Sequence, residues 1–332
     1  MFRIWCLSVA LLLLLTLDTS SLSSPDSTKS FRKSSLLPWN NDDSTVLGHC
    51  VEERDEDASI LTVRIRIQND DDTLTLTFPE KGLTGEGLAS QLWPSAMASS
   101  ILLRSPEFRD FVKEKHVVEL GSGRGLAGLV AAADAKSCLL TDMDEEAVGL
   151  LQRATCPDNQ DKAMAQQLDW RDDHRGASDF AHVVLGSDIA YYWHLLRPIM
   201  DTARAFMDGK KSDDNGDDEY STLVVVGQAN RESQWDLYNN IKGGCYNQLT
   251  DEDEPPWPGA CRTLLYNLRM SEWCSSLEEC EDKLDGVIPI SIIVHHDDDD
   301  DARLDIQQVL SPFEAHVRVA TKEDDESIKK SF

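Results

Sequence analysis

Positive charge is what this sequence has least of for its size. Its 32 lysines and arginines stand against 60 aspartates and glutamates, a formal net charge of −28 over 332 residues. A surface of that sign repels phosphate backbones, which argues against direct binding of DNA or RNA and favours a basic partner such as a lysine-rich protein segment. Also lacking is any C-x-x-C pair among the eight cysteines, so neither a zinc site nor a disulfide framework is visible. Cys261, Cys274 and Cys280 are nonetheless close enough in sequence to bridge in an oxidising compartment. No apolar run is long enough to span a bilayer as a full helix. The stretch in MFRIWCLSVALLLLLTL is about fourteen residues, the length of a signal-peptide core. There is no internal repeat. The run HHDDDDD, His295–Asp301, invites a metal reading, but consecutive aspartates cannot all converge on one ion, and no metal is expected.

The first 24 residues therefore read as a signal peptide or other targeting segment. Behind them SSLSSPDSTKSFRKSS is rich in serine, with Lys29, Arg32 and Lys33 against the single acid Asp26, a composition like that of a transit peptide. A signal followed by such a stretch suits entry into the secretory route and onward import into a plastid. The plainer reading is a signal peptide with a disordered linker over residues 25–50. If the signal is unused, the chain stays in the cytoplasm. Membrane contact is expected only through this segment.

Past residue 50 one large domain is expected, to about residue 325. SILTVRIRIQNDDDTLTLTF, Ser59–Phe78, is two alternating runs around a polar turn, the pattern of a β-hairpin. The chain then alternates unbroken apolar strands with helices: HVVEL, SCLLTD, the weaker AMAQQLDW, HVVLGSD and STLVVVG. Such strands imply a mostly parallel sheet covered on both faces. VIPISIIVH and FEAHVRVA have no long apolar helix between them and are expected to pair antiparallel at one edge. The polar stretch near 243–286 reads as an irregular insertion.

HVVELGSGRGLAG, His116–Gly128, packs four glycines behind a strand and admits two frames. Gly123, Gly125 and Gly128 form a dinucleotide fingerprint, but leave Gly121 and Ser122 as surplus residues after the strand. Glu119, Gly121, Gly123 and Gly125 form the other frame. It places an acid at the strand end, where it can meet the ammonium of S-adenosylmethionine. Asp142, about twenty residues on at the next strand end, serves ribose hydroxyls in either frame. It could instead only cap the helix beginning near Glu145.

Three further motifs flank the loop: LWPSA (Leu92–Ala96), LDW (Leu168–Trp170) and LGSDIAYY (Leu185–Tyr192). With them, Ser59–Gln234 resembles the seven-β-strand protein lysine methyltransferases, the group that modifies chaperones, elongation factors and calmodulin. The resemblance implies an α/β, Rossmann-like seven-stranded methyltransferase sheet with an antiparallel C-terminal edge and an N-terminal β-hairpin. It implies S-adenosylmethionine held by Trp93, Gly121, Ser122, Gly123, Asp142, Trp170 and Ser187. It further implies a D-x-x-Y pair, Asp188 and Tyr191, beside the acceptor lysine of a protein substrate, one that is basic or works in translation or chaperone complexes. An aspartate is too weak a base to deprotonate lysine, so Asp188 is expected to orient the amine and Tyr191 to wall its channel. The residues alone leave each a bland alternative: Trp170 and Trp93 as packing, Asp188 as a helix cap. A small-molecule methyltransferase and an inactive cofactor-binding scaffold are the rival functions.

Overall fold

A computed structural model of the chain describes residues 29–39, 46–68, 70–80, 88–154, 161–172, 180–209, 220–247, 252–284 and 286–297. The parallel heart is β5 (His116–Leu120), β6 (Ser137–Asp142), β7 (Ala163–Gln167), β8 (Val183–Ser187) and β9 (Thr222–Gln228). These lie in the order β7-β6-β5-β8-β9, each pair parallel. The chain starts at β5, steps outward to β6 and β7, then returns to β8 on the other side. The carboxyl ends of β5 and β8 therefore open a crevice between diverging loops, the switch point where open α/β sheets bind ligands.

Helices cover both faces because the strands are apolar on both faces. On one side α1 (Pro94–Arg104) and α3 (Leu126–Asp134) pack together, with Met97, Ile101 and Leu102 of α1 buried in the core. Trp93 precedes Pro94, which holds it extended at φ −82 and ψ 151 and starts the helix there. On the other side α5 (Leu196–Met207) and α6 (Glu232–Gly243) bury Ile199, Phe206, Leu237 and Ile241 against Val118, Leu120, Val184 and Val225. Short helices α2 (Pro106–Val112), α4 (Glu145–Leu151) and α7 (Leu277–Asp282) complete the set. Asp144 caps α4, its carboxylate accepting from the Glu146 and Ala147 amides. Asp142 is therefore not that helix's cap.

Beyond β9 the sheet turns antiparallel. The order continues through β13 (Gly286–His296), β12 (Ala260–Met270), β1 (Lys29–Pro38), β2 (Gly48–Asp55), β3 (Ile60–Ile67) and β4 (Thr73–Pro79), eleven strands in all among the described residues. Strands β7 through β12 make the seven-stranded unit that the resemblance implied, and β3–β4 is the hairpin read from the alternation. Three expectations are corrected. VIPISIIVH is an interior strand, flanked by β9 and β12, and β12 is not an edge because β1 pairs with it; FEAHVRVA lies outside the described residues. The stretch taken as an irregular insertion carries β12, which is eleven residues long, besides α7 and a two-stranded ribbon of β10 (Cys245–Asn247) and β11 (Glu252–Glu254).

The third correction concerns the linker. Residues 29–38 are a sheet strand. The basic residues that looked transit-like are consumed by partners: Lys29 Nζ lies 3.1 Å from Glu53, Lys33 Nζ 2.8 Å from Glu281, and Arg32 grips the buried Glu52 with two nitrogens. Composition counted their charges; the sheet shows what neutralises them. Cys50, Cys138, Cys261, Cys274 and Cys280 are free thiols.

Candidate active site

The crevice at the ends of β5, β6 and β8 is a cavity of about 420 Å³. It falls in the size range of cofactor and small-molecule pockets, roughly 300–1,000 Å³. Its floor is the turn after β5. Gly121, Gly123 and Gly125 all have positive φ (62°, 51° and 76°), a backbone that residues with a Cβ adopt only at a cost of about 1–2 kcal/mol. Gly121 has a second reason to be glycine: a methyl there would stand 2.8 Å from the Trp170 ring. Gly128 is different in kind. It lies within α3, where a Cβ would meet the Glu119 carboxylate at 2.5 Å. The left-handed turn thus begins at Gly121, directly after the strand, in the acid-x-G-x-G-x-G frame.

Hydrogen bonds lock this floor. Asp142 at the end of β6 accepts from the Gly123 amide at 2.8 Å and from the Asp144 amide at 3.0 Å, tying the first two strand ends together. Ser122 bonds through its own amide to the Thr141 carbonyl at 2.8 Å and through its hydroxyl to the Thr141 amide at 3.0 Å. Glu119 lies 2 % exposed, its carboxylate accepting from the Gly128 amide at 3.0 Å. Burial raises its pKa to about 8, against hydrogen bonds from Ser122 and Gly128 that pull it down. Burial likewise raises the Asp142 pKa from its ordinary value, against the amide hydrogen bonds from Asp144 and Gly123.

The walls come from the flanking motifs. The Trp93 indole donates to the Leu88 carbonyl at 2.9 Å, pinning the segment before α1 over the cavity. Trp170, after β7, stands close against Gly121. Ser187 ends β8 and shares a 2.8 Å hydrogen bond with Ser99 of α1. Tyr191 makes an edge-to-face pair with Tyr192, centroids 4.8 Å apart. Burial and the nearby Asp142 and Tyr192 raise its pKa, so its phenol stays neutral at physiological pH.

Eight of the nine residues read from sequence therefore line one cavity: Trp93, Gly121, Ser122, Gly123, Asp142, Trp170, Ser187 and Tyr191. Asp188 does not. Its backbone is left-handed at φ 61°, and its carboxylate accepts from Gln228 at 3.3 Å and from Arg231 at 3.4 Å. Its carboxylate faces these partners beside the cavity, and it does not cap a helix, since α5 begins eight residues later. Sequence reasoning missed several lining residues, among them Arg124 inside the glycine loop, Asp169 and Arg171 beside Trp170, and His194. A charge inside a glycine turn, where the neighbours are buried, was the available signal for Arg124.

The residues present fit S-adenosylmethionine. A glycine cradle admits its backbone-hugging methionine end, a buried acid stands at the strand end for the ammonium, and Asp142 offers acceptors for ribose hydroxyls. Trp170 offers a flat face for the base. Fold and site together define an S-adenosylmethionine-dependent methyltransferase. More narrowly, residues 68–216 match the model of a family described as lysine methyltransferase. That match begins inside the β3–β4 hairpin and ends before β9.

Among solved structures, the chain is similar to a T. thermophilus 16S rRNA N2 G1207 methyltransferase in complex with AdoMet and guanosine, with 12 % identity, 72 % of this chain and 51 % of that chain covered, and a TM-score of 0.40. It is also similar to YcgJ from Bacillus subtilis (12 %, 60 % and 97 %, TM-score 0.36). TrmN from Thermus thermophilus is a third (14 %, 60 % and 48 %, TM-score 0.36). No substrate is carried over from them.

Proposed function

We propose that the protein methylates a lysine in a basic, lysine-rich segment of a substrate protein, of the kind translation factors and chaperone complexes expose, and that the acceptor enters beside Tyr191. The observation that carries this is the cavity wall at Tyr191, which continues outward into Tyr192, 52 % exposed, with Trp193, 72 % exposed, next along the chain. Aromatic faces attract an approaching ammonium, and the chain's net charge of −28 favours a basic segment over an acidic one.

Bound in the cavity, S-adenosylmethionine supplies an electrophilic methyl group on a positively charged sulfur. The remaining task belongs to the chain: to hold the amine in line at roughly 3 Å and keep it neutral. Tyr191 walls the amine's path and, being neutral itself, offers a hydrogen bond without trapping the ammonium. The amine proton leaves to water. Asp188 acts at one remove. Its contacts with Gln228 and Arg231 support a positioning role, fixing the backbone between Ser187 and Tyr191.

The test is incubation of the full chain with labelled methyl donor and three acceptors: a lysine-rich peptide, the same peptide with every lysine changed to arginine, and a small-molecule extract. Label on the lysine peptide alone is expected, read by mass spectrometry as added methyl groups. Label confined to the extract sinks the protein-substrate reading, and cofactor binding with no label on any acceptor marks a scaffold.

We further propose that residues before β1 direct the chain into the secretory route. The apolar run ahead of Lys29 supports this, whereas the basic residues of β1 no longer support a plastid step. A fluorescent protein carrying residues 1–28 should leave the cytosol; a diffuse cytosolic signal refutes the proposal.

A further inference from the structure

Arg124 stands inside the glycine turn, between Gly123 and Gly125, with its side chain only 4 % exposed. Its Nη1 donates to Glu80 at 3.1 Å and to the Ser90 carbonyl at 3.5 Å. Its Nη2 has no hydrogen-bond partner among the described residues. Burying a guanidinium with idle donors is costly unless a ligand or another group uses them. Burial pushes the Arg124 pKa down, and the Glu80 carboxylate opposes that shift.

Glu80 is itself held from behind. Arg54 of β2 lies 3.1 Å from its second oxygen, and Arg54 and Arg32 both stand over the Trp273 ring, at 4.5 Å and 5.0 Å from its centroid. These groups surround a second cavity of about 470 Å³, into which Glu52 also faces. Three guanidiniums meet two carboxylates there, leaving one positive charge over in a strongly acidic chain. Arg124 lines both this cavity and the cofactor cavity.

The cofactor's methionine end carries an ammonium and a carboxylate. Glu119, at the strand end, is the acid for the ammonium. Of the residues lining the cofactor cavity, only Arg124 and Arg171 always carry positive charge. Arg171 is committed elsewhere: it is exposed, beside Trp170, and holds Asp169 through Nε at 2.8 Å and through Nη2. We propose that Arg124 is the counter-ion of the cofactor's carboxylate, and that Glu80, braced by Arg54, positions it. The four N-terminal strands would then belong to the cofactor site, although most of their length lies outside the family match. The inference rests on the cofactor, not on the acceptor lysine, so it stands or falls apart from the lysine reading.

The experiment is calorimetric binding to the full chain of two ligands: S-adenosylmethionine and its decarboxylated analogue, which keeps the ammonium and loses only the carboxylate. Arg124→Ala is expected to weaken S-adenosylmethionine on the order of 30-fold, the range for losing a charge-assisted hydrogen bond, and to change the analogue less than about 3-fold. Arg124→Lys should recover part of the loss, because the charge remains and the planar fork does not. Glu80→Gln should give a smaller, equally selective loss. Equal weakening of both ligands would make Arg124 a brace for the glycine turn, and unchanged S-adenosylmethionine affinity would leave it without a ligand role; either overturns the proposal. Should Arg124→Ala not fold, Arg124→Lys and Glu80→Gln decide the matter by the same two-ligand ratio.

Discussion

The cofactor half and the acceptor half of this one cavity are built by different means. The cofactor half is backbone. Its shape comes from three left-handed glycines and from carboxylates that accept amide hydrogen bonds at 2.8–3.0 Å. The acceptor half is side chain. On this proposed side Tyr191 follows Asp188, whose carboxylate contacts are longer, at 3.3–3.4 Å, and the neighbouring Tyr192 and Trp193 are exposed. A pocket for one invariant small molecule can be frozen into the main chain. A pocket that must admit a protein's side chain is better left to groups that can adjust.

The largest effect should come from breaking the frozen half. Gly121→Ala adds left-handed strain of about 1–2 kcal/mol and drives a methyl against the Trp170 ring. Cofactor affinity by calorimetry should drop by at least about 100-fold, a strain penalty compounded by the clash. Affinity within a few-fold of the parent would mean the turn is not the rigid element described here.

Next comes the adjustable half. Asp188→Ala should lower kcat on a lysine peptide by on the order of 10- to 100-fold, the usual size of a lost alignment, while cofactor Kd moves less than about 3-fold. Arg231→Ala should reproduce a weaker version of the same profile, since in this geometry Asp188 works through its partners. If Arg231→Ala leaves kcat untouched while Asp188→Ala abolishes it, Asp188 contacts the amine directly and the positioning role is wrong.

These two halves were not equally legible in the sequence. Glycines at fixed spacing behind an apolar strand, an acid at each of two strand ends, and a tryptophan before a proline state their backbone roles outright, and those residues line the cavity. The partners of Asp188, Gln228 and Arg231, were not legible because a motif gives order along the chain, not the direction a side chain takes when its φ is positive. Arg124 was passed over as a spacer between glycines. β1 was hidden for a related reason: KSFRKSSLLP is polar for most of its length, because its outer residues are neutralised across the sheet and by α7. Pairing partners far apart in sequence, Lys33 with Glu281 for one, cannot be seen from composition.

A smaller effect separates the halves by pH. Glu119 has a folded pKa raised by burial to about 8, from 4.5 when unfolded. Below pH 4.5 it is protonated in both states and imposes no penalty. As pH rises toward 8 the unfolded chain ionises it first, so the folded state binds the extra proton and loses relative stability. Without cofactor, the Tm should therefore fall between about pH 5 and pH 8, and Glu119→Gln should flatten that part of the slope. Cofactor binding places a cation beside Glu119 and should release a proton at neutral pH, measurable by calorimetry in buffers of different ionisation enthalpy. Proton release unchanged in Glu119→Gln would assign the proton elsewhere.

The smallest expected effect lies at the rim. Trp193 is 72 % exposed and meets His194 edge-to-face, with ring centroids 5.9 Å apart, so it contributes little to the core and its loss should leave the Tm within about a degree, as for surface substitutions generally. What an exposed indole next to the acceptor wall can do is attract the cationic flank of a lysine-rich segment, worth about 0.5–1 kcal/mol at an exposed site. Trp193→Ala should therefore raise KM for a lysine-rich peptide by about 2- to 5-fold, leave kcat alone, and leave cofactor Kd unchanged. A fall in kcat at constant KM would place Trp193 with the aligning residues and erase the distinction between rim and wall. An unchanged KM would mean the protein substrate docks on another face, and the exposed aromatics would lose their part in recognition.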